Sequence, residues 1–204
     1  MQDPDAWVDL TVDNFKFQDG RMGKLFANVK WNKHDKQIDI DAHADDDNNV
    51  KTIIKGYVSQ EKNYINLGIT AHNTNIEFLK SFCGSFMNKI DAHANGFAQV
   101  FGDLSEVNLQ GLLVADGTIG ISPLNTVYRL KNDTIRMVPD EIIFKGDTVT
   151  DRHGNVATVT GALHHKHLTR LTFDLGIHAN KFLCYDLNDY GNNSFYSTVY
   201  GTVD

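Results

Sequence analysis

The sequence predicts an all-β protein built from repeats, with one short amphipathic helix near residues 76–90. Three observations support this fold class. Most of the 204 residues alternate between apolar and polar with a period of two, two long stretches resemble each other, and only three prolines occur. Because successive side chains of a strand point to opposite faces, this alternation indicates sheets with one apolar and one polar face.

The first strands are separated by clear turn signals, QDGRMG, NKHDK and DDDNN. The first run changes phase between Val12 and Phe15, which predicts a β-bulge near Asp13. The alternating apolar residues are Val8, Leu10 and Val12; Leu25, Ala27, Val29 and Trp31; Ile38, Ile40, Ala42 and Ala44; Ile65, Leu67, Ile69 and Ala71; Leu109, Leu113 and Ala115; Ile119 and Ile121; Ile135 and Met137; Ile142 and Phe144; and Leu171, Phe173, Leu175, Ile177 and Ala179.

One segment, TNIEFLKSFCGSFMNKI, has helical rather than strand spacing. Thr74 and Glu77 form a capping-box pattern at its start, which is typical of a helix N-terminus. No basic cluster accompanies Lys80 and Lys89, so a helix that covers the core is favoured over one lying on a membrane surface. The apolar positions are Leu79, Phe82, Cys83, Phe86, Met87 and Ile90.

The chain also resembles itself. The stretch TIIKGYVSQEKNYINLGITAHN matches ATVTGALHHKHLTRLTFDLGIHAN, with Gly56 at the position of Gly161. Self-similarity of this kind predicts stacked units of one architecture. We therefore expect a first β repeat at residues 1–75, the amphipathic helix and a connector at 76–95, and a second β repeat at 96–204, within a longer protein.

Composition limits the classes of function. The net charge is −7, hydrophobic residues make up 41% and charged residues 22%, which is typical of a globular domain and argues against nucleic acid as the main partner. No apolar run approaches the roughly 18 residues needed to span a bilayer. The N-terminus lacks the features of a signal peptide, but this absence does not establish where in the cell the protein is located.

The three histidines of HHKH, at His164, His165 and His167, are candidate metal ligands because imidazole is a common one. However, adjacent strand residues point to opposite faces, and the matching tip SQEKNY has no histidine. We predict surface histidines and no metal site. Cys83 and Cys184 are expected to be buried free thiols rather than a disulfide.

No catalytic motif is present. The acidic stretch DAHADDDNN lacks the spacing of an EF-hand, and we find no nucleophile–base pair, phosphate-binding loop or dinucleotide fingerprint. His43, His93 and His178 occupy matching strand positions, which the repeat explains better than a catalytic site does. The sequence therefore predicts a protein that is not an enzyme and has no cofactor.

Four ordered segments of the second half carry a family resemblance: GFAQVFGDLSEVNLQGLLVADGTIGISPLNTVYRL, IIFKGDTVTDRHGNVATVTGAL, LTFDLGIHANKF and FYSTVYGTV. From about Gly96 to Asp204 the chain resembles the TamB family, the AsmA-like translocation and assembly proteins of the Gram-negative envelope. The matching positions are Gly96 and Gly102; Leu109, Gly111 and Leu113; Leu124, Asn125 and Tyr128; Asp151, Gly154, Asn155, Ala157 and Gly161; and Leu175, Ile177 and Ala179.

The resemblance implies a curled antiparallel sheet with a long open groove, called a β-taco, whose apolar inner face conducts phospholipid acyl chains between the inner and outer membranes. It also implies a periplasmic location, an inner-membrane anchor outside this chain, an outer-membrane barrel-assembly protein as partner and a role in outer-membrane biogenesis. The expected groove residues are Leu25, Val29, Ile38, Ile40, Leu109, Leu113, Leu171, Phe173, Leu175 and Ile177.

Two alternatives fit the alternation as well. The apolar faces could meet a second sheet in a closed sandwich. The protein could instead be an interaction scaffold for outer-membrane protein assembly, whose free edge strands receive a client strand by β-augmentation. Free edges also lead us to expect edge-to-edge dimers. The family resemblance favours the open groove.

Overall fold

The alternating runs form a single antiparallel sheet. The computed structural model describes residues 6–18, 20–46, 49–83, 86–167, 169–186 and 198–203. The strands are β1 (Trp7–Phe17), β2 (Gly20–Asn32), β3 (Gln37–Asp46), β4 (Asn49–Ser59), β5 (Tyr64–Asn75), β6 (Met87–Asp103), β7 (Glu106–Ile121), β8 (Thr126–Val138), β9 (Glu141–Thr150), β10 (Val156–Lys166), β11 (Thr169–Asp186) and β12 (Thr198–Val203).

The strand order in the sheet is the order along the chain, so each strand pairs with its sequence neighbours. The two ends, β1 and β12, do not pair with each other, and the sheet is open. The prediction of an all-β, open antiparallel sheet is therefore confirmed. The predicted bulge is confirmed too, since the β1–β2 register shifts between Val12 and Phe15.

The internal repeat is visible in the hairpin geometry. Gly56 of β4 lies opposite Leu67 of β5, and Gly161 of β10 lies opposite Leu175 of β11. The register of β5 against β6 shifts just after Ala71, and that of β11 against β12 shifts just after Ala179. The β4–β5 and β10–β11 hairpins thus share their register and the position of the following bulge.

The predicted helix is shorter than its apolar spacing indicated. A 3₁₀ turn at Glu77–Leu79 leads into a single α-helical turn, α1 (Lys80–Cys83). Residues 84 and 85 of the prediction lie outside the described residues. Met87 and Ile90 belong to β6, where a register shift between Met87 and Lys89 produces their helix-like spacing.

The sheet runs without interruption through the predicted repeat boundary. Strand β6 extends from Met87 to Asp103 and so includes both residue 95 and residue 96. It is paired along its length with β7, from Met87↔Ile121 to Asp103↔Glu106. The connector therefore joins two halves of one sheet, and the division into repeats stays a prediction.

Buried side chains concentrate on one face, which we call the inner face. The first cluster lies on β6, β7 and the segment before β6; the second lies on β7, β8, β10 and β11. The inner face therefore holds the main core of the described sheet. The clusters consist of Ile76, Ile90, Ala92, Ala94 and Ala115, and of Ile121, Tyr128, Ala157, Ala179 and Phe182.

Candidate functional site

The sheet register places every predicted groove residue on the inner face. Residues that lie directly opposite each other in an antiparallel ladder point to the same side. Leu25 lies opposite Ala44, and Val29 opposite Ile40. The ladders continue this face from strand to strand through the pairs Ile38↔Val58, Val58↔Ile65, Leu67↔Val100, Val100↔Leu109, Gly96↔Leu113, Gly111↔Met137, Met137↔Ile142, Leu163↔Ile142, Leu163↔Phe173, Gly161↔Leu175 and Val159↔Ile177. Leu171 joins this face by alternation from Phe173.

The inner face is not covered by a second sheet within the described part of the chain, which contains a single one. Leu10 on β1 is 47% exposed, and Phe173 and Ile177 on β11 are 40% and 43% exposed. Leu25, Val29, Ile38 and Ile40 are half-buried. The inner face therefore exposes apolar side chains near both ends of the sheet, and exposed apolar surface on this scale marks a binding site for a ligand or partner.

Small residues form the centre of this face. Ala94 and Ala115 lie opposite each other and are fully buried. The neighbouring Gly96 has φ +135°, and a Cβ atom there would lie 2.3 Å from the carbonyl oxygen of Leu112 on β7. The two strands thus approach more closely than a side chain allows, which is the arrangement that curves a sheet strongly.

The chain covers part of its own inner face. Phe78 and Leu79 pack against the cluster around Ala92 and Ala94, and the rings of Phe17 and Phe78 meet edge to face with centroids 5.4 Å apart. The N–H of Ile76 donates to the carbonyl oxygen of Ala92 at 3.0 Å. The segment between β5 and β6 therefore covers the inner face over β6 and β7 and reaches β1 through Phe17.

A second aromatic contact crosses the inner face. The ring of Phe86, just before β6, stacks on the ring of Phe173 on β11 with 4.4 Å between centroids. These strands are five positions apart in the sheet. The sheet therefore curls enough to bring its middle against its C-terminal half. The sequence carries no signal for this contact, since the spacing of Phe86 predicts a position on the helix.

Two aspartates replace backbone pairing between β8 and β9. The ladder is interrupted between Leu130↔Val149 and Arg136↔Ile143. There, Asp133 accepts the N–H of Thr148 at 3.0 Å, and Asp147 accepts the N–H of Thr134 at 3.3 Å. Burial raises the pKa of Asp133, and the nearby carboxylates of Asp147 and Asp116 raise it further. The hydrogen bonds donated by the N–H groups of Thr148 and Lys131 lower the pKa but do not cancel this rise.

The Asp-x-x-Gly-Asn motif is a structural clamp. Asp151 accepts the N–H groups of His153 and Asn155 at 2.8 and 2.9 Å and the side-chain amide of Asn155 at 2.9 Å, which closes the β9–β10 turn. It also accepts the N–H of Leu183 at 3.0 Å and so ties the turn to β11. Burial raises the pKa of Asp151, but these hydrogen bonds outweigh it and hold the pKa below its usual value.

Of the three histidines of the HHKH tip, His164 lies apart, while His165 and the backbone N–H of His167 both meet Asp140. His164 contacts Glu141 at 3.2 Å, whereas His165 points to the other face and lies 3.9 Å from Asp140. Burial lowers the pKa of His165, which nearby Asp140 partly offsets. Among the described residues, no group of three or more His, Cys, Asp or Glu side chains is placed to hold a metal ion. Cys83 and Cys184 are free and half-buried.

No protein-family model matches the chain, and no curated protein or solved structure matches it significantly.

Within the described residues, none of the helices has the length and apolar character needed to cross a membrane.

Proposed function

We propose that this chain is a segment of a TamB-like envelope protein whose inner face conducts phospholipid acyl chains between the inner and outer membranes. The observation that supports this proposal best is one largely apolar face that extends from β1 to β11, with Asp133 and Asp147 at the β8–β9 gap and no facing sheet in the described residues. The ordered sequence motifs from Gly96 onward support the family, and the open sheet agrees with the β-taco that the family implies.

The chemistry of the face suits lipid tails. Each methylene removed from water contributes about 0.8 kcal/mol, so even a partly covered acyl chain binds favourably. Hydrophobic contact has no preferred direction, and a tail can therefore slide along the groove without breaking specific bonds. In this proposal the parent protein is anchored in the inner membrane, spans the periplasm and meets a barrel-assembly protein, in support of outer-membrane biogenesis.

Site-specific photo-crosslinking tests the proposal. A photoreactive phenylalanine analogue is placed at Leu175 on the inner face or at neighbouring Asp174 on the outer face, and the protein is mixed with vesicles of phosphatidylethanolamine and phosphatidylglycerol. We expect crosslinked phospholipid at residue 175 and far less at residue 174. Equal labelling at both positions, or none, would contradict the proposal.

A loss-of-function variant adds a second test. Leu175→Asp places a charge in the apolar face, where desolvation opposes it. We expect this variant to bind less phospholipid, while the matched outer-face change Thr172→Asp on the same strand leaves binding unchanged. Phospholipid co-purifying with each variant is measured by mass spectrometry.

The second candidate is a scaffold that binds client strands at an edge. It is favoured by β1, of which all residues but Phe15 are exposed. An incoming strand would add to β1 by backbone pairing. This function predicts crosslinks from β1 to protein, with none to phospholipid from β11.

A further inference from the structure

We propose that Phe86 and Phe173, which we call the aromatic bridge, form a gate that an acyl chain must open to pass along the groove. This inference rests on the proposed function and adds a regulatory element to the same site. Phe86 precedes β6 and Phe173 lies on β11, so their stacked rings join two parts of the inner face that are five strands apart.

The bridge stands in the path of a tail that moves along the inner face. Phe173 has Leu175 and Leu171 as its inner-face neighbours on β11. Phe86 packs against the cluster of Ile121, Tyr128 and Phe182. A chain that moves across the sheet from β7 and reaches Leu171 or Leu175 on β11 therefore passes beside the two rings.

The backbones at the bridge are held by hydrogen bonds, whereas Phe173 is partly exposed. The N–H of Phe86 donates to the carbonyl oxygen of Cys83 at 3.2 Å, and the carbonyl oxygen of Phe86 accepts the N–H of Ser122 at 2.9 Å. Phe173 is paired with Leu163 in the β10–β11 ladder. Phe173 is 40% exposed. In this proposal, rotation of the Phe173 side chain separates the rings and opens the gate.

The contact is also of the right strength for a gate. A stacked ring pair contributes a modest free energy beyond that of its buried area, and an acyl chain that replaces one ring restores apolar contact to the other. The apolar contact that the rings lose when the gate opens is therefore replaced by contact with the acyl chain that opens it. Without a tail the rings close, and the groove is interrupted.

A tethered lipid tail tests the gate. In a Cys83→Ala, Cys184→Ala background, Leu109→Cys on β7 carries a hexadecanoyl chain with a terminal diazirine, about four interstrand spacings or roughly 19 Å from β11. After illumination, labelled peptides from β11 and from β2–β5 are quantified by mass spectrometry. Phe86→Ala is compared with the unchanged bridge, and Phe97→Ala, an exposed outer-face phenylalanine, is the matched control.

We expect Phe86→Ala to raise the ratio of β11 label to β2–β5 label by about two- to tenfold, and Phe97→Ala to leave it unchanged. Inner-face labelling with an unchanged ratio, even if Phe86→Ala lowers the melting temperature, would assign the bridge a purely structural role and overturn the gate while sparing the proposed function. Absence of inner-face label in every variant would remove the proposed function and the gate with it.

Discussion

Tyr128 donates a hydrogen bond from its hydroxyl to the backbone carbonyl oxygen of Leu183 at 2.9 Å, which joins β8 to β11. The ring of Tyr128 also stacks on Phe182, with centroids 4.9 Å apart. These strands are three positions apart in the sheet, so the contact forms only when the sheet is curled. The hydrogen bond of this buried hydroxyl therefore stabilises the curled form of the sheet.

Replacement of Tyr128 by Phe keeps the stacked ring and removes the hydroxyl donor. The carbonyl oxygen of Leu183 then lacks this donor inside the fold, and we expect a loss of about 1–2 kcal/mol in the free energy of unfolding. Urea denaturation measures the change. Tyr57→Phe, on the outer face, is the matched control and should cost much less; equal costs would show that the hydrogen bond contributes nothing specific.

Asp151→Asn should destabilise the protein more than Tyr128→Phe does, because an amide cannot accept hydrogen bonds from all the donors that surround this carboxylate. We expect a loss of about 2–3 kcal/mol, since a buried donor is left without an acceptor. Asp174→Asn, on the exposed outer face of β11, provides the control. A loss below 1 kcal/mol for Asp151→Asn, in the same urea series, would argue against the clamp.

The same carboxylate predicts a pH dependence. The pKa of Asp151 is lower in the folded protein than the value of about 3.9 in an unfolded chain. Its contribution to stability is therefore full above that value and is lost as the pH falls through the folded pKa. We expect the melting temperature to fall more steeply on acidification below pH of about 4 in the wild type than in Asp151→Asn. Parallel melting curves for the two proteins would be inconsistent with this role.

Gly96→Ala is expected to destabilise the curled sheet strongly, because the new Cβ would lie 2.3 Å from the carbonyl oxygen of Leu112. Gly154→Ala separates this effect from backbone strain, since Gly154 also has positive φ but has no atom within 4 Å of the added Cβ. We expect about 1 kcal/mol for Gly154→Ala and clearly more for Gly96→Ala. Thermal unfolding followed by circular dichroism gives both values, and a reversed order would exclude close strand approach as the cause.

The free edge at β1 predicts self-association. Leu10 is 47% exposed on the inner face of this edge strand, and a lysine there is a common device against edge pairing. We expect Leu10→Lys to shift the protein towards monomer in analytical ultracentrifugation. As a control, Leu112→Lys replaces a residue of similar exposure, 49%, on the central strand β7. We expect this variant to leave the association unchanged. A wild-type protein that stays monomeric at high concentration would contradict edge-to-edge pairing.

The sequence was sufficient for the sheet and for the face on which each groove residue lies, because a period of two fixes the side once a strand exists. It was insufficient for the segment after Ile76. There Met87 and Ile90 have helical spacing by virtue of a register shift in β6, and spacing alone does not distinguish these cases.

The long-range contacts were equally inaccessible from the sequence. Asp133 and Asp147 reach across a gap in the β8–β9 ladder, and Phe86 reaches Phe173 across the curl. Such contacts depend on register and curvature together, whereas alternation reports only local geometry. Asp151 is one of the positions that carry the family resemblance, but its hydrogen bond to Leu183 depends on the fold.

The nearest-neighbour order of the strands has a consequence for how the polypeptide reaches its native state. Since each new strand needs only the one before it as a template, ordering can advance from the N-terminus as the chain is synthesised or delivered, without waiting for distant partners. The same property allows a sheet of this kind to be extended, because further hairpins can pair with an edge strand without disturbing the strands already in place.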